Sequence, residues 1–142
     1  MNNIFRVFLG IAGFLIIVAI AFSTMYSPNS EIDSVNTLNI SDNYTQAIND
    51  GKTLNKTVII YFTSSSCYYC DKFEDETLSN ETVISKINED YIFVPVNINE
   101  DPEIARKFSA YTTPTIVFLD SNGDVSQEII GYHNSAEFIR FL

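Results

Sequence analysis

Residues 57–73, "TVIIYFTSSSCYYCDKF", decide the fold. The first six form a continuous β-branched and aromatic run, the pattern of a strand covered on both faces. Ser64 to Ser66 break that run and offer capping hydroxyls to a helix that starts near Cys67. Cys67 and Cys70 are the only cysteines in the chain. A buried strand that delivers Cys67 to a helix N-terminus places its sulfur among unpaired N–H groups at the positive end of the helix dipole. Both stabilise a thiolate, the species that attacks a disulfide. Cys70, one turn later, lies on the same face and can resolve the mixed disulfide that such an attack creates.

Three other readings of the pair are weaker. A structural zinc site needs four ligands, and only His133 and carboxylates remain to complete one, so the sequence expects no metal. A purely structural disulfide across so small a loop would constrain the unfolded chain little. Two inert buried cysteines account for neither the spacing nor the placement at a helix start.

Outward from this stretch, "SDNYTQAINDGK" (41–52) predicts a helix capped by Ser41 or Asp42. It has Tyr44, Ala47 and Ile48 on one face and Gly51 at its stop. The helix at Cys67 carries Phe73 and Thr77 and ends near Ser79, and "FEDET" (73–77) reads as its wet face. Asn80 caps a further turn or two. "YIFVPVNIN" (91–99) is a second strand in which Pro95 marks an edge or a bulge. Asp101 and Pro102 open another helix. "TPTIVFLD", the turn "SNGD" and "VSQEIIGY" form a closing hairpin, and "SAEFIRFL" is an amphipathic helix. Strands separated by helices require parallel crossovers, and the hairpin adds antiparallel pairing. The expected class is α/β, a central mixed sheet with helices on both faces.

The chain opens with an uncharged apolar run, Val7 to Phe22, after Arg6. A transmembrane helix needs about 20 such residues, so the run is long for a signal peptide and barely long enough for the anchor it is read as, while Ala19 and Ala21 offer a cleavage site. The expected organisation is an anchor or signal segment at 1–25, a polar linker at 26–41 and one domain at 42–142. Arg6 before the run and Glu31 and Asp33 after it place the N-terminus inside the cytoplasmic membrane and the domain outside, secreted if the segment is cleaved. The net charge of −10 repels nucleic acid and anionic headgroups, so those partners are set aside. Asn39, Asn43, Asn55 and Asn80 begin N-x-[ST] triplets, which chance explains in an asparagine-rich chain.

"VIIYFTSSSCYYCDKF", "YTTPTIVFLDSNGDV" and "IIGYHNSAEFIRFL", in that order, resemble the thioredoxin superfamily across 42–142. Within it the chain most resembles exported, membrane-tethered thioredoxin-like proteins, and it is similar to the thioredoxin-like domain of membrane thiol:disulfide interchange proteins. The resemblance implies a thioredoxin-like fold in which Pro114 follows a cis bond, packs against the cysteine pair and, with Thr113, aligns a substrate strand. Gly131 then matches a glycine near the groove. It further implies a thiol:disulfide oxidoreductase that needs no cofactor and acts on the cysteines of other proteins. A membrane-embedded electron donor would supply it if it is a reductase. The alternatives are a disulfide donor and a non-catalytic chaperone or metal-handling module. No dimerisation segment is evident, so a monomer is expected. Two positions depart from the family. Ser66 stands where tryptophan is common, and Tyr61 stands where many relatives bury an acid, leaving Asp71 or water to deprotonate Cys70. Tyr68 and Tyr69 could form an apolar rim for a substrate chain.

Overall fold

The computed structural model describes residues 37–142, so the expected membrane segment and the first part of the linker lie outside the described residues. Among the described residues no helix is long and apolar enough to cross a membrane. The order is α1 (Tyr44–Leu54), β1 (Thr57–Thr63), α2 (Tyr68–Phe73) running into a π-helical turn (Glu74–Leu78), α3 (Glu81–Asp90) and β2 (Tyr91–Asn97). There follow α4 (Pro102–Lys107), β3 (Thr115–Leu119), β4 (Val125–Ile130) and α5 (Ser135–Phe138).

The four strands lie in the order β2-β1-β3-β4. β1 pairs in parallel with β2, Tyr61 opposite Pro95, and antiparallel with β3, Tyr61 opposite Ile116. β3 and β4 close the sheet as the expected antiparallel hairpin. Pro95 therefore lies on an edge strand, where its missing N–H costs no central ladder bond. Beyond it only a single parallel bridge, Ile40 to Phe93, extends the sheet.

Alternate residues of β1 enter two separate cores. Ile59 and Tyr61 join Phe73, Val83, Ile87, Phe93, Ile116 and Phe138, beneath α2, α3 and α5. Val58, Ile60 and Phe62 join Ala47, Val94, Val96, Ala105 and Val117, beneath α1 and α4. A period of two on a strand sheathed by helices on both faces explains the unbroken apolar run.

Local capping differs from the sequence expectation in two helices. Asn43, rather than Ser41 or Asp42, caps α1, its side chain accepting the Gln46 N–H. Gly51 does not stop that helix: it lies buried within it, and the chain leaves at Asn55, which adopts the left-handed conformation that asparagine tolerates. The absence of a side chain is what Gly51 contributes. A Cβ there would lie 2.6 Å from Val58 Cγ2 and 3.2 Å from the Lys56 carbonyl. Asn80 caps α3 as expected, but the helix runs for 10 residues, longer than a turn or two.

Gly51→Ala gains about 1 kcal/mol of helix propensity and loses about 1–3 kcal/mol to overpacking against β1. The expected net result is a chain destabilised by about 1 kcal/mol, with a melting temperature roughly 4–8 °C lower. An unchanged or higher melting temperature would show that α1 moves away from β1 freely.

Candidate active site

Cys67 is the residue at which β1 has turned into α2. It has extended backbone geometry and serves as the helix N-cap itself, its Sγ accepting the Cys70 N–H at 3.0 Å. The serine hydroxyls expected to cap instead anchor the loop. Ser64 Oγ lies 3.2 Å from Thr113 Oγ1, and Ser65 Oγ accepts a 3.2 Å bond from the Asn97 amide. The turn that presents Cys67 is thereby tied on one side to the loop before β3 and on the other to the end of β2.

The two cysteines form a disulfide, with an S–S distance of 2.07 Å and a Cα–Cα distance of 5.1 Å. Cys70 is 1 % exposed and Cys67 9 %, so Cys67 is the more accessible of the pair. An N–H donor aimed at that sulfur favours its thiolate once the bond is reduced.

The Thr113–Pro114 peptide bond is cis. The buried Thr115 hydroxyl donates to the Thr112 carbonyl at 2.8 Å, and the Gly131 N–H donates to the Pro114 carbonyl at 2.8 Å, fixing the bend from both sides. Gly131 has φ +90°, and a Cβ built on it would meet nothing within 4 Å, so the surface above it is open. The structure thus brings Thr113 to the Cys67 turn, with Pro114 and Gly131 behind it.

Other residues fall differently from the sequence reading. Tyr61 is 2 % exposed in the core, and its hydroxyl is not idle. It donates to Glu74 Oε1 at 3.0 Å and lies 3.4 Å from the Cys70 carbonyl oxygen. Burial first, and then the Glu74 charge, push the phenol well above its usual range, so it stays protonated. Glu74 rather than Asp71 is the carboxylate joined to this buried hydroxyl. Glu74 lies on the exposed face that "FEDET" implies, and its Oε1 nonetheless reaches the Tyr61 hydroxyl from the start of the π-turn. The only available signal was its spacing four residues after Cys70. His133 serves α5: its carbonyl accepts the Thr77 hydroxyl at 2.7 Å, and its Nδ1 lies 3.6 Å from Glu137. Among the described residues no cluster of His, Cys, Asp or Glu is arranged to hold a metal ion.

Tyr68 and Tyr69 are 72 % and 56 % exposed beside the disulfide, their rings in edge contact at 5.3 Å. Tyr132, which the sequence reading did not single out, joins them. Its ring lies 6.5 Å from that of Tyr69, Lys72 Nζ lies 4.5 Å above it, and its hydroxyl donates to Glu76. That bond raises the Tyr132 pKa from 10.0 to about 12. The bond therefore supports the fold fully below pH 10.0 and ceases to do so as the pH rises through about 12. Ultraviolet titration of the chain against Tyr132→Phe should isolate one phenol ionising near 12, and Glu76→Gln should lower it. Ionisation near 10 in the unaltered chain would remove the Tyr132–Glu76 clamp.

Residues 44–142 match the family described as "Thioredoxin-like domain". The thiol:disulfide interchange protein DsbD of Campylobacter jejuni is 24 % identical over 103 residues, which are 70 % of this chain and 18 % of that protein. The chain thus spans less than a fifth of the curated relatives it matches first. A solution structure of a thioredoxin from Thermus thermophilus superposes with a TM-score of 0.67 at 25 % identity, covering 74 % of this chain and 84 % of that one. The oxidised C-terminal domain of Neisseria meningitidis DsbD has the same fold, with a TM-score of 0.58 at 18 % identity over 72 % of this chain and 96 % of that one. With nearly all of the described residues matched, the chain belongs to the thioredoxin-like domain family.

Proposed function

We propose that this thiol:disulfide oxidoreductase acts as a reductase of protein disulfides outside the cytoplasmic membrane, tethered there by its N-terminal segment. The observation that carries the reading is the Cys67–Cys70 disulfide at the start of α2, with the cis-Pro114 loop joined to its turn through Ser64 and Thr113.

Each turnover begins with the dithiol. The Cys67 thiolate attacks one sulfur of a substrate disulfide, forms the mixed disulfide and expels one substrate thiolate. Cys70, deprotonated, attacks the Cys67 sulfur, re-forms the internal disulfide and expels the second substrate thiolate. Two electrons pass to the substrate, and the two protons lost by the cysteines balance those taken up by the released thiolates. Thr113 aligns the substrate segment through main-chain hydrogen bonds, and Tyr68 and Tyr69 contact its apolar side chains. A polytopic membrane thiol carrier returns two electrons to the pair.

The local charge favours this direction. Asp71 and Glu74 lie one and four residues after Cys70 on the same helical run, and negative charge there disfavours the thiolate, which makes the dithiol more reducing. The similarity to thiol:disulfide interchange proteins supports exchange with the thiols and disulfides of other proteins. The N–H of Cys70 on the Cys67 sulfur acts oppositely and favours the second reading, a disulfide donor.

Cys67→Ser should abolish turnover of a model protein disulfide, whereas Cys70→Ser should accumulate a mixed disulfide that dithiothreitol releases. Expressed in cells, the Cys70→Ser variant should trap extracytoplasmic proteins, in conjugates that protease added to intact spheroplasts digests. Turnover that survives Cys67→Ser would contradict the enzyme, and conjugates with cytoplasmic proteins would contradict its location.

A further inference from the structure

Beside the buried Tyr61 hydroxyl the surface opens into a cleft of about 350 Å³, walled by Ile40, Leu78, Phe93 and Pro95 and including Tyr61 and Glu74. We infer that this cleft is a second binding site, and that it takes a small protonated amine carried on an aromatic or branched aliphatic body.

Size, lining and charge together define that class. The volume falls in the lower range of small-molecule sites, roughly 300–1,000 Å³, which suits a single ring or a branched chain. The walls contribute apolar surface that only an apolar body can cover. The polar part is Ser79, the Tyr61 hydroxyl and the carboxylate of the solvent-exposed Glu74, the one charged group among the described lining residues. Among the described residues the ion pairs are Lys72–Glu76, Arg106–Glu103 and His133–Glu137, and Glu74 instead accepts the Tyr61 hydroxyl through Oε1. Oε2 remains to receive a charge-assisted hydrogen bond, which an ammonium supplies and an alcohol supplies only weakly. The chain's own linker is a poor occupant. Residues 26–36, "YSPNSEIDSVN", carry Glu31 and Asp33 and no cation, and would bring like charge to Glu74. The net charge of −10 likewise disfavours an anionic ligand.

The cleft reaches the backbone of Cys70 through Tyr61, whose hydroxyl meets Glu74 and lies 3.4 Å from the Cys70 carbonyl. An occupant that engages Glu74 therefore perturbs a group in contact with the resolving cysteine. By reciprocity the oxidised and reduced forms bind it with different affinities, a consequence that rests on the redox reading above.

The test is a titration of the ¹⁵N-labelled full chain in lipid nanodiscs with benzylammonium chloride and, separately, with benzyl alcohol at pH 7. Benzylammonium should shift the amide resonances of Leu38 to Ser41, Leu78 and Ser79 saturably. It should bind about tenfold more tightly than the alcohol, and Glu74→Gln should remove that difference. Absence of saturable shifts at these residues, equal binding of the two probes, or unchanged discrimination in Glu74→Gln would each overturn the site. The probe comparison needs no variant, and binding is read without turnover, so a chain inactive in thiol exchange still tests the cleft. Equal affinity for the oxidised and reduced forms would overturn the coupling.

Discussion

The exclusion of β1 from water on both faces is the constraint on which the site depends. Val58 to Phe62 are each at most 2 % exposed, divided alternately between two cores. Each such side chain contributes on the order of 1.5–3 kcal/mol when buried, so the strand has no alternative register that leaves both cores filled. A one-residue slip would exchange Tyr61 with its neighbours and strand its hydroxyl. With β1 fixed, the chain must emerge between β2 and β3, and the residues that meet it there are Asn97 and Thr113. Cys67 is presented by a short turn that is pinned at both flanks to strands already in place.

Those attachments make the disulfide a rigid object rather than a loop feature. α2 is short, six residues, and would be marginal alone. It is held by Phe73 in the core, by the Thr77 hydroxyl on the His133 carbonyl and by the Tyr132–Glu76 clamp. Cys70 is 1 % exposed against 9 % for Cys67, which suits the proposed order of events, in which a substrate meets Cys67 first and Cys70 acts from within. Around this pair the protein sets opposing electrostatic influences, an N–H on the first sulfur and carboxylates on the helix that follows. The balance between them sets the potential, and neither influence can be read in isolation.

The element order, the mixed sheet and the position of Cys67 were legible because they rest on strong periodicities. TVIIYF has no polar face to misread, and the hairpin turn "SNGD" carries its glycine at φ +90°. Features that depend on one atom or on phase were not legible. Gly51 looks like a helix stop by composition, but it was selected by the approach of Val58, a tertiary contact invisible to local pattern. Serine hydroxyls look like caps, yet the sulfur of Cys67 takes that place and the serines reach sideways to other elements. Glu74 is solvent-facing, as its place in "FEDET" implies, but its bond to Tyr61 on a separate strand leaves no local trace in the sequence. Tyr132 gave no sign beyond its adjacency to Gly131, since its partners lie on α2 and the π-turn, more than fifty residues earlier.

The measurement that bears most directly on the proposed chemistry is the reduction potential of the Cys67–Cys70 couple, obtained by equilibrating the chain against glutathione and dithiothreitol buffers. A two-electron transition near the thioredoxin value, about −270 mV, is the result expected of a reductase supplied across a membrane. A potential near −120 mV would contradict that direction and make the protein a disulfide donor. Failure of the two cysteines to pair at any potential would contradict the enzyme itself.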